Sequence, residues 1–321
     1  GGFDGSARAS VPSLIPVERT VDNPDYSGQS PSDDLTIPSI YDGYRINDNS
    51  MQITSSIDII GPMIQSGSVS ITGSTDIVGP LTQGNGAVAT GDSAFSQGTD
   101  TTAEGTDSHA EGFETRAWGN TSHAEGSNTL AGNPALGGVF SANAHAEGLH
   151  TTASAISSHA EGVRTLASGV ASHAEGSGSI ASSNFSHAEG KATNAAAIFS
   201  HTEGALTLTT SDGAHAEGSG SMAKGFYAHA EGHATLASQS YAHSEGYHTS
   251  ASAEYSHAEG YSTKALGYAS HTEGVNTITT TAASYAHAEG QYTSASAGAS
   301  HAEGYFAIAS APRSHAEGQK T

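Results

Sequence analysis

The pentapeptide Ser-His-Ala-Glu-Gly is first complete at Ser108–Gly112 and last at Ser314–Gly318, and with small variations it occurs fifteen times in this chain. Its histidines are His109, His123, His145, His159, His173, His187, His201, His215, His229, His243, His257, His271, His287, His301 and His315. Two residues after each stands a glutamate: Glu111, Glu125, Glu147, Glu161, Glu175, Glu189, Glu203, Glu217, Glu231, Glu245, Glu259, Glu273, Glu289, Glu303 and Glu317. Twelve of the fourteen intervals are 14 residues, and the exceptions are 22 residues before His145 and 16 before His287. A fixed period this short describes a solenoid in which each repeat is one turn of chain.

Composition without the period would mislead. Leu, Ile, Val and Phe number only 45 of 321 residues and the formal net charge is −22, values that fit a disordered chain. A disordered linker has no reason to keep Glu two residues after His fifteen times, so an elongated array is expected. The same thin apolar content excludes two ordinary globular domains. Cysteine is absent, so no disulfide or thiol chemistry can be proposed. No run of 18 apolar residues exists, so no membrane insertion as a helix is expected. Ten Lys and Arg against 32 Asp and Glu argue against a nucleic-acid partner.

Three regions follow one another. Residues 1–50 hold Pro12, Pro16, Pro24, Pro31 and Pro38 and show no helix or strand period. They predict an extended N-terminal arm, either a flexible leader or an anchor laid on other virion or surface proteins. Residues 51–84 alternate apolar and polar in Ile57-Asp58-Ile59 and Val69-Ser70-Ile71, as half-buried strands do. The segment from Ser56 to Pro62 also recurs 18 residues later from Ser74 to Pro80. That predicts a strand-rich collar whose apolar face closes against other copies of itself. Residues 85–321 form the 14-residue array, with Phe95 standing one period before His109.

Within a coil, residue size sorts by parity. Ser or Ala precedes each His and Ala usually follows it; Thr202, Ser244 and Thr272 are the exceptions. Thr or Ser stands six residues after His (Thr115, Thr129, Thr151), and Ala stands eight after (Ala117, Ala131, Ala153), with Thr209 and Thr279 departing. Small residues at alternate positions of two short strands line one face of each. The expected fold is therefore all-β: a thin parallel β-roll with coils ~4.8 Å apart, on the order of 80 Å long over some seventeen coils. Gly three residues after every His predicts a turn with positive φ. A roll this thin buries little apolar surface, so self-association is expected.

His and Glu, two apart, point out of the roll on the same side. Stacked glutamates repel their neighbours by roughly 1 kcal/mol even in water. The adjacent histidines are the expected partners, from another coil or chain, with their pKa raised by the pairing. The alternative is that both columns face solvent and are screened.

Gly86-Ala-Val-Ala-Thr-Gly-Asp-Ser-Ala-Phe-Ser-Gln-Gly98, followed by 14-residue coils with fixed Ala and Gly, resembles the YadA-like head repeats of trimeric autotransporter adhesins. The resemblance covers about residues 85–318. It implies a left-handed roll and a homotrimer, with the positions of His109 and Glu111, and their equivalents in every coil, facing the trimer axis. The family's oily axis is replaced here by a polar one. The Ser-His-Ala-Glu-Gly form is similar to repeats in phage fibre and appendage proteins.

These features predict a non-enzymatic fibre of a phage virion, for host attachment or as a spacer. One alternative is a bacterial surface adhesin passenger, which expects a secretion signal upstream and a membrane barrel downstream. Another is a metal-binding rod using the His-x-Glu columns. Against the metal, no third ligand is evident; no cofactor and no catalytic residue are expected. The Ser beside each His points to the opposite strand face, which excludes a local hydrolytic triad. Tyr241, Tyr247, Tyr255, Tyr261, Tyr268, Tyr285, Tyr292 and Tyr305 lie near corners, where they cover seams between chains or contact a host surface glycan or protein. His150, His233 and His248 fall at turns. The insertions near 133–142 and 279–283 are expected to bulge outward as recognition loops.

Overall fold

A computed structural model describes residues 79–135 and 141–321, together with the backbone of six short strands between Tyr44 and Val78. The expected arm, residues 1–50, lies outside the described residues except for the strand Tyr44–Ile46. The chain divides into two compact units, Gly1–Asn143 and Ala144–Thr321. Every described element is a strand and every pairing is parallel; no α-helix occurs among the described residues. The molecule is a parallel β-solenoid of about seventeen turns.

In the first unit, the 18-residue repeat pairs with itself. Met51–Ile53 lies beside Val69–Ile71, Ile57–Ile60 beside Thr75–Val78, and Met63–Gln65 beside Leu81–Gln83, each offset by 18 residues. Leu81 then pairs with Phe95 and Phe95 with His109, an offset of 14. The period shortens there from three strands per coil to two.

Each 14-residue coil carries a five-residue strand that begins at the histidine and a two-residue strand seven residues later. In the second unit the long strands run from His145–Leu149 to His315–Gln319 and the short ones from Thr152–Ala153 to Ile308–Ala309. Like pairs with like: His159 with His173, Ala160 with Ala174, Glu161 with Glu175, Gly162 with Gly176. The two extra residues before His287 are absorbed in a corner, since His271 still pairs with His287 and Ile278 with Ser294.

The interior follows the parity of the sequence. Except in the last coil, where Ala316 is only partly buried, the residue after each His, the Thr six after and the Ala eight after are buried, for example Ala230, Thr235 and Ala237. The largest fully buried side chains are threonines. Hydroxyls show which positions meet across the roll: Ser244 Oγ lies 2.8 Å from Thr249 Oγ1, and Ser270 Oγ lies 2.7 Å from Thr279 Oγ1. A core of methyl groups and small hydroxyls stabilises weakly, at roughly 0.8 kcal/mol per buried CH₂-sized group.

Two positive-φ positions bend each coil, one within the long strand and one at the corners. The glycine three residues after each His has φ between 94° and 115° in all fifteen coils. It is also the point of closest approach between coils, because a Cβ on Gly162 would lie 2.2 Å from the carbonyl oxygen of Gly176. The second feature is a left-handed residue five after His and another two before it, with no fixed residue type. Leu206 (φ 57°), Phe199 (φ 56°) and Tyr241 (φ 59°) all adopt it. Such a conformation costs a non-glycine residue roughly 1–2 kcal/mol. It is held by the ladder: Leu206 N–H donates to Lys191 O at 2.9 Å and Tyr241 N–H to Phe226 O at 2.8 Å, in each case fifteen residues back.

Candidate functional site

The outward face of the long strands carries the two predicted columns. In each unit the histidines stack directly over one another. His145 and His159 have ring centroids 4.7 Å apart and planes within 3°, and His243 and His257 are 4.6 Å apart and within 8°. Phe95 extends the column of the first unit by stacking on His109 at 4.9 Å. The in-register pairing of long strands sets this spacing, because identical side chains recur at one strand separation.

Eleven of the fifteen imidazoles also approach the glutamate of their own strand. Nε2 to Oε2 distances are 3.4 Å for His109–Glu111, 3.5 Å for His173–Glu175, 3.4 Å for His215–Glu217 and 3.9 Å for His315–Glu317. These contacts lie within one coil, and carboxylates of adjacent coils act as well, Glu147 on His159 and Glu161 and Glu189 on His173. At these lengths the contacts are electrostatic rather than hydrogen bonds. The Nε2 atoms of His159, His173, His215 and His229 are covered from water and have no hydrogen-bond partner.

Within the single chain, six of the histidines shift opposite to the expected rise. His159, His173, His201 and His229 are lowered from the ordinary value, and His215 and His257 are lowered to about 4. Burial of the ring by its stacked neighbours is the main cause. The next is repulsion between adjacent imidazoles, His201 and His229 in the case of His215. The flanking carboxylates pull the other way and lose. A stack of rings less than 5 Å apart favours the uncharged form, which holds these six histidines toward neutral imidazole.

These groups offer ligand atoms. His145, Glu147 and His159 place one each within 4.8 Å of one another, as do His173, Glu175 and His187 and eight further trios. Parallel rings 4.7 Å apart aim their nitrogens along parallel lines, whereas zinc needs them to converge at about 2.0–2.1 Å. A divalent cation would have to tilt the imidazoles out of their stack.

Where a serine precedes the histidine, as at Ser158 and Ser172, it points inward. Ser158 Oγ donates to Ala155 O at 2.8 Å and Ser172 Oγ to Gly169 O at 2.7 Å, which closes the corner and leaves no nucleophile beside the imidazole. The tyrosines form columns of their own. Tyr241 stacks on Tyr255 at 5.1 Å and Tyr247 on Tyr261 at 5.1 Å, so their ring faces meet one another while their edges are exposed. His150 and His248 occupy left-handed corner positions and His233 stacks on Tyr247. Sequence reasoning missed one column: Leu166, Ile180, Leu208, Met222, Leu236 and Ile278 stand half-buried on the outer face of the short strands. Their spacing of seven after His was legible, but polar residues such as Ser250 and Lys264 interrupt the series.

Fold and site together define a β-solenoid with an outward histidine–glutamate ladder. No family model matches the chain, and no curated protein is found to be similar to it.

Proposed function

We propose that this chain is a structural fibre of a phage particle, built as a parallel homotrimer whose histidine and glutamate columns meet at a shared seam. It projects a host-attachment surface or spaces one from the particle. One observation carries this. No side chain larger than threonine is fully buried within the described roll, while Phe185, Phe199, Tyr227, Tyr255, Tyr285 and Ile308 stand outside it, each 49–68% exposed. A roll that keeps its large apolar groups outside gains stability when other chains cover them.

Because the chain has no cysteine, one introduced residue reports position. Glu217→Cys, treated with a short bismaleimide, is expected to link chains covalently, and Gln239→Cys at a corner is expected not to. The reverse pattern would place the ladder away from the seam. Virion membership is tested by immunogold labelling. Label on tail appendages is expected, whereas label confined to bacterial surfaces would favour the adhesin.

A further inference from the structure

Trp118 is the chain's single tryptophan. It stands nine residues after His109, where most other coils place small residues such as Ser154, Ser168, Ser182 and Ser238, with Lys224 and Leu266 as exceptions. Around it, three successive coils of the first unit form a concavity of about 270 Å³ lined by Glu104, Trp118, Asn120, Asn133 and neighbouring backbone. That is just under the ~300–1,000 Å³ usual for small-ligand pockets, a size for one or two rings. The indole stacks on no other ring among the described residues, unlike the tyrosine columns. Its Nε1 is covered from water and meets no acceptor there, although a buried indole N–H usually finds one.

The polar groups around the indole are already oriented. Asn120 Oδ1 accepts from the Thr106 N–H at 3.2 Å, and Asn133 Oδ1 accepts from the Ala135 N–H at 2.9 Å. Each amide oxygen is committed to backbone, which leaves both NH₂ groups to donate outward. Glu104, exposed on the adjacent coil, supplies a carboxylate acceptor. An aromatic platform with two amide donors and one acceptor matches a pyranose, which has an apolar face and a rim of hydroxyls that both donate and accept. The carboxylate and the chain's net charge of −22 disfavour acidic sugars.

We infer that Trp118, Glu104, Asn120 and Asn133 form a subsite for a neutral sugar ring of a surface glycan. This rests on the attachment-fibre reading only for the source of the glycan, not for the binding chemistry. With one tryptophan among twelve tyrosines, emission excited selectively at the red edge of the indole band reports this site alone. Titration with maltotetraose, chitotetraose and lactose is expected to give a saturable emission change with at least one of them, in the millimolar range or tighter. Glu104→Gln and Asn133→Ala should each weaken it at least about five-fold. Trp118→Ala, followed by calorimetry, should abolish binding. Chain mass measured on the same samples separates failure of the sugar site from failure of the fibre assembly. No change with any of the three up to about 10 mM would overturn the inference. So would affinity unaltered in Glu104→Gln and Asn133→Ala, or a response to a galacturonate oligomer alone.

Discussion

His215 and His229 lie ring over ring, centroids 4.7 Å apart and planes within 10°. Protonating both would set two positive charges at that separation, a repulsion of about 1 kcal/mol in water and more where the rings are shielded. Because the folded pKa of His215 and His257 is lowered to about 4, the unfolded chain binds protons first as pH falls. Stability is therefore full above the unfolded value near 6.5 and is lost as pH drops through the folded value. Melting temperature is expected to fall by about 5 °C or more between pH 7.5 and 5. A rise over that interval would show the histidines to be charged and paired.

Gly218 holds φ at 94°, and a Cβ there would lie 2.1 Å from the carbonyl oxygen of Gly232. The position is constrained twice, by conformation and by the next coil. Gly218→Ala is expected to cost about 2 kcal/mol or more in denaturant unfolding. Gly178→Ala, at a corner where a Cβ meets nothing nearer than 4.0 Å, is expected to cost only the left-handed penalty of about 1 kcal/mol.

Ala230 is fully buried at a position where the next coil has Ser244, which reaches Thr249 across the roll. Ala230→Ser can meet Thr235 in the same way and is expected to change stability by less than about 1 kcal/mol. Ala230→Leu has no room in a core that admits nothing larger than threonine. It is expected to cost about 3 kcal/mol or to melt the adjoining coils. Equilibrium denaturation of the two variants checks both values.

The parallel imidazoles favour a metal-free ladder. Exhaustive dialysis against a chelator is expected to leave melting temperature unchanged, and added zinc to raise it by no more than about 2 °C. A large chelator-induced fall would assign the trios a structural cation.

Much of this architecture was legible before the coordinates. The 14-residue period gave the register, because His159 can pair with His173 only if every coil is the same length. Parity placed Ala160 and Thr165 inside, and the recurring glycine marked a positive φ, although it lies within the long strand rather than in a turn. The left-handed corners were hidden, since Leu206, Phe199 and Tyr241 carry no local signature and their conformation is imposed by hydrogen bonds from the preceding coil. The direction of the histidine shift was misjudged for a similar reason. Spacing put Glu217 beside His215, but only the stack shows the burial of the ring and the repulsion from His201 and His229. The concavity at Trp118 draws on residues 104, 118, 120 and 133, and no single coil contains it.

How many chains make the rod is the question on which everything else turns. Light-scattering mass of the full chain at pH 7.5 is predicted to be three times that of one polypeptide, unchanged on dilution to low micromolar concentration. A folded species of single-chain mass, with a cooperative melt of its own, would contradict it.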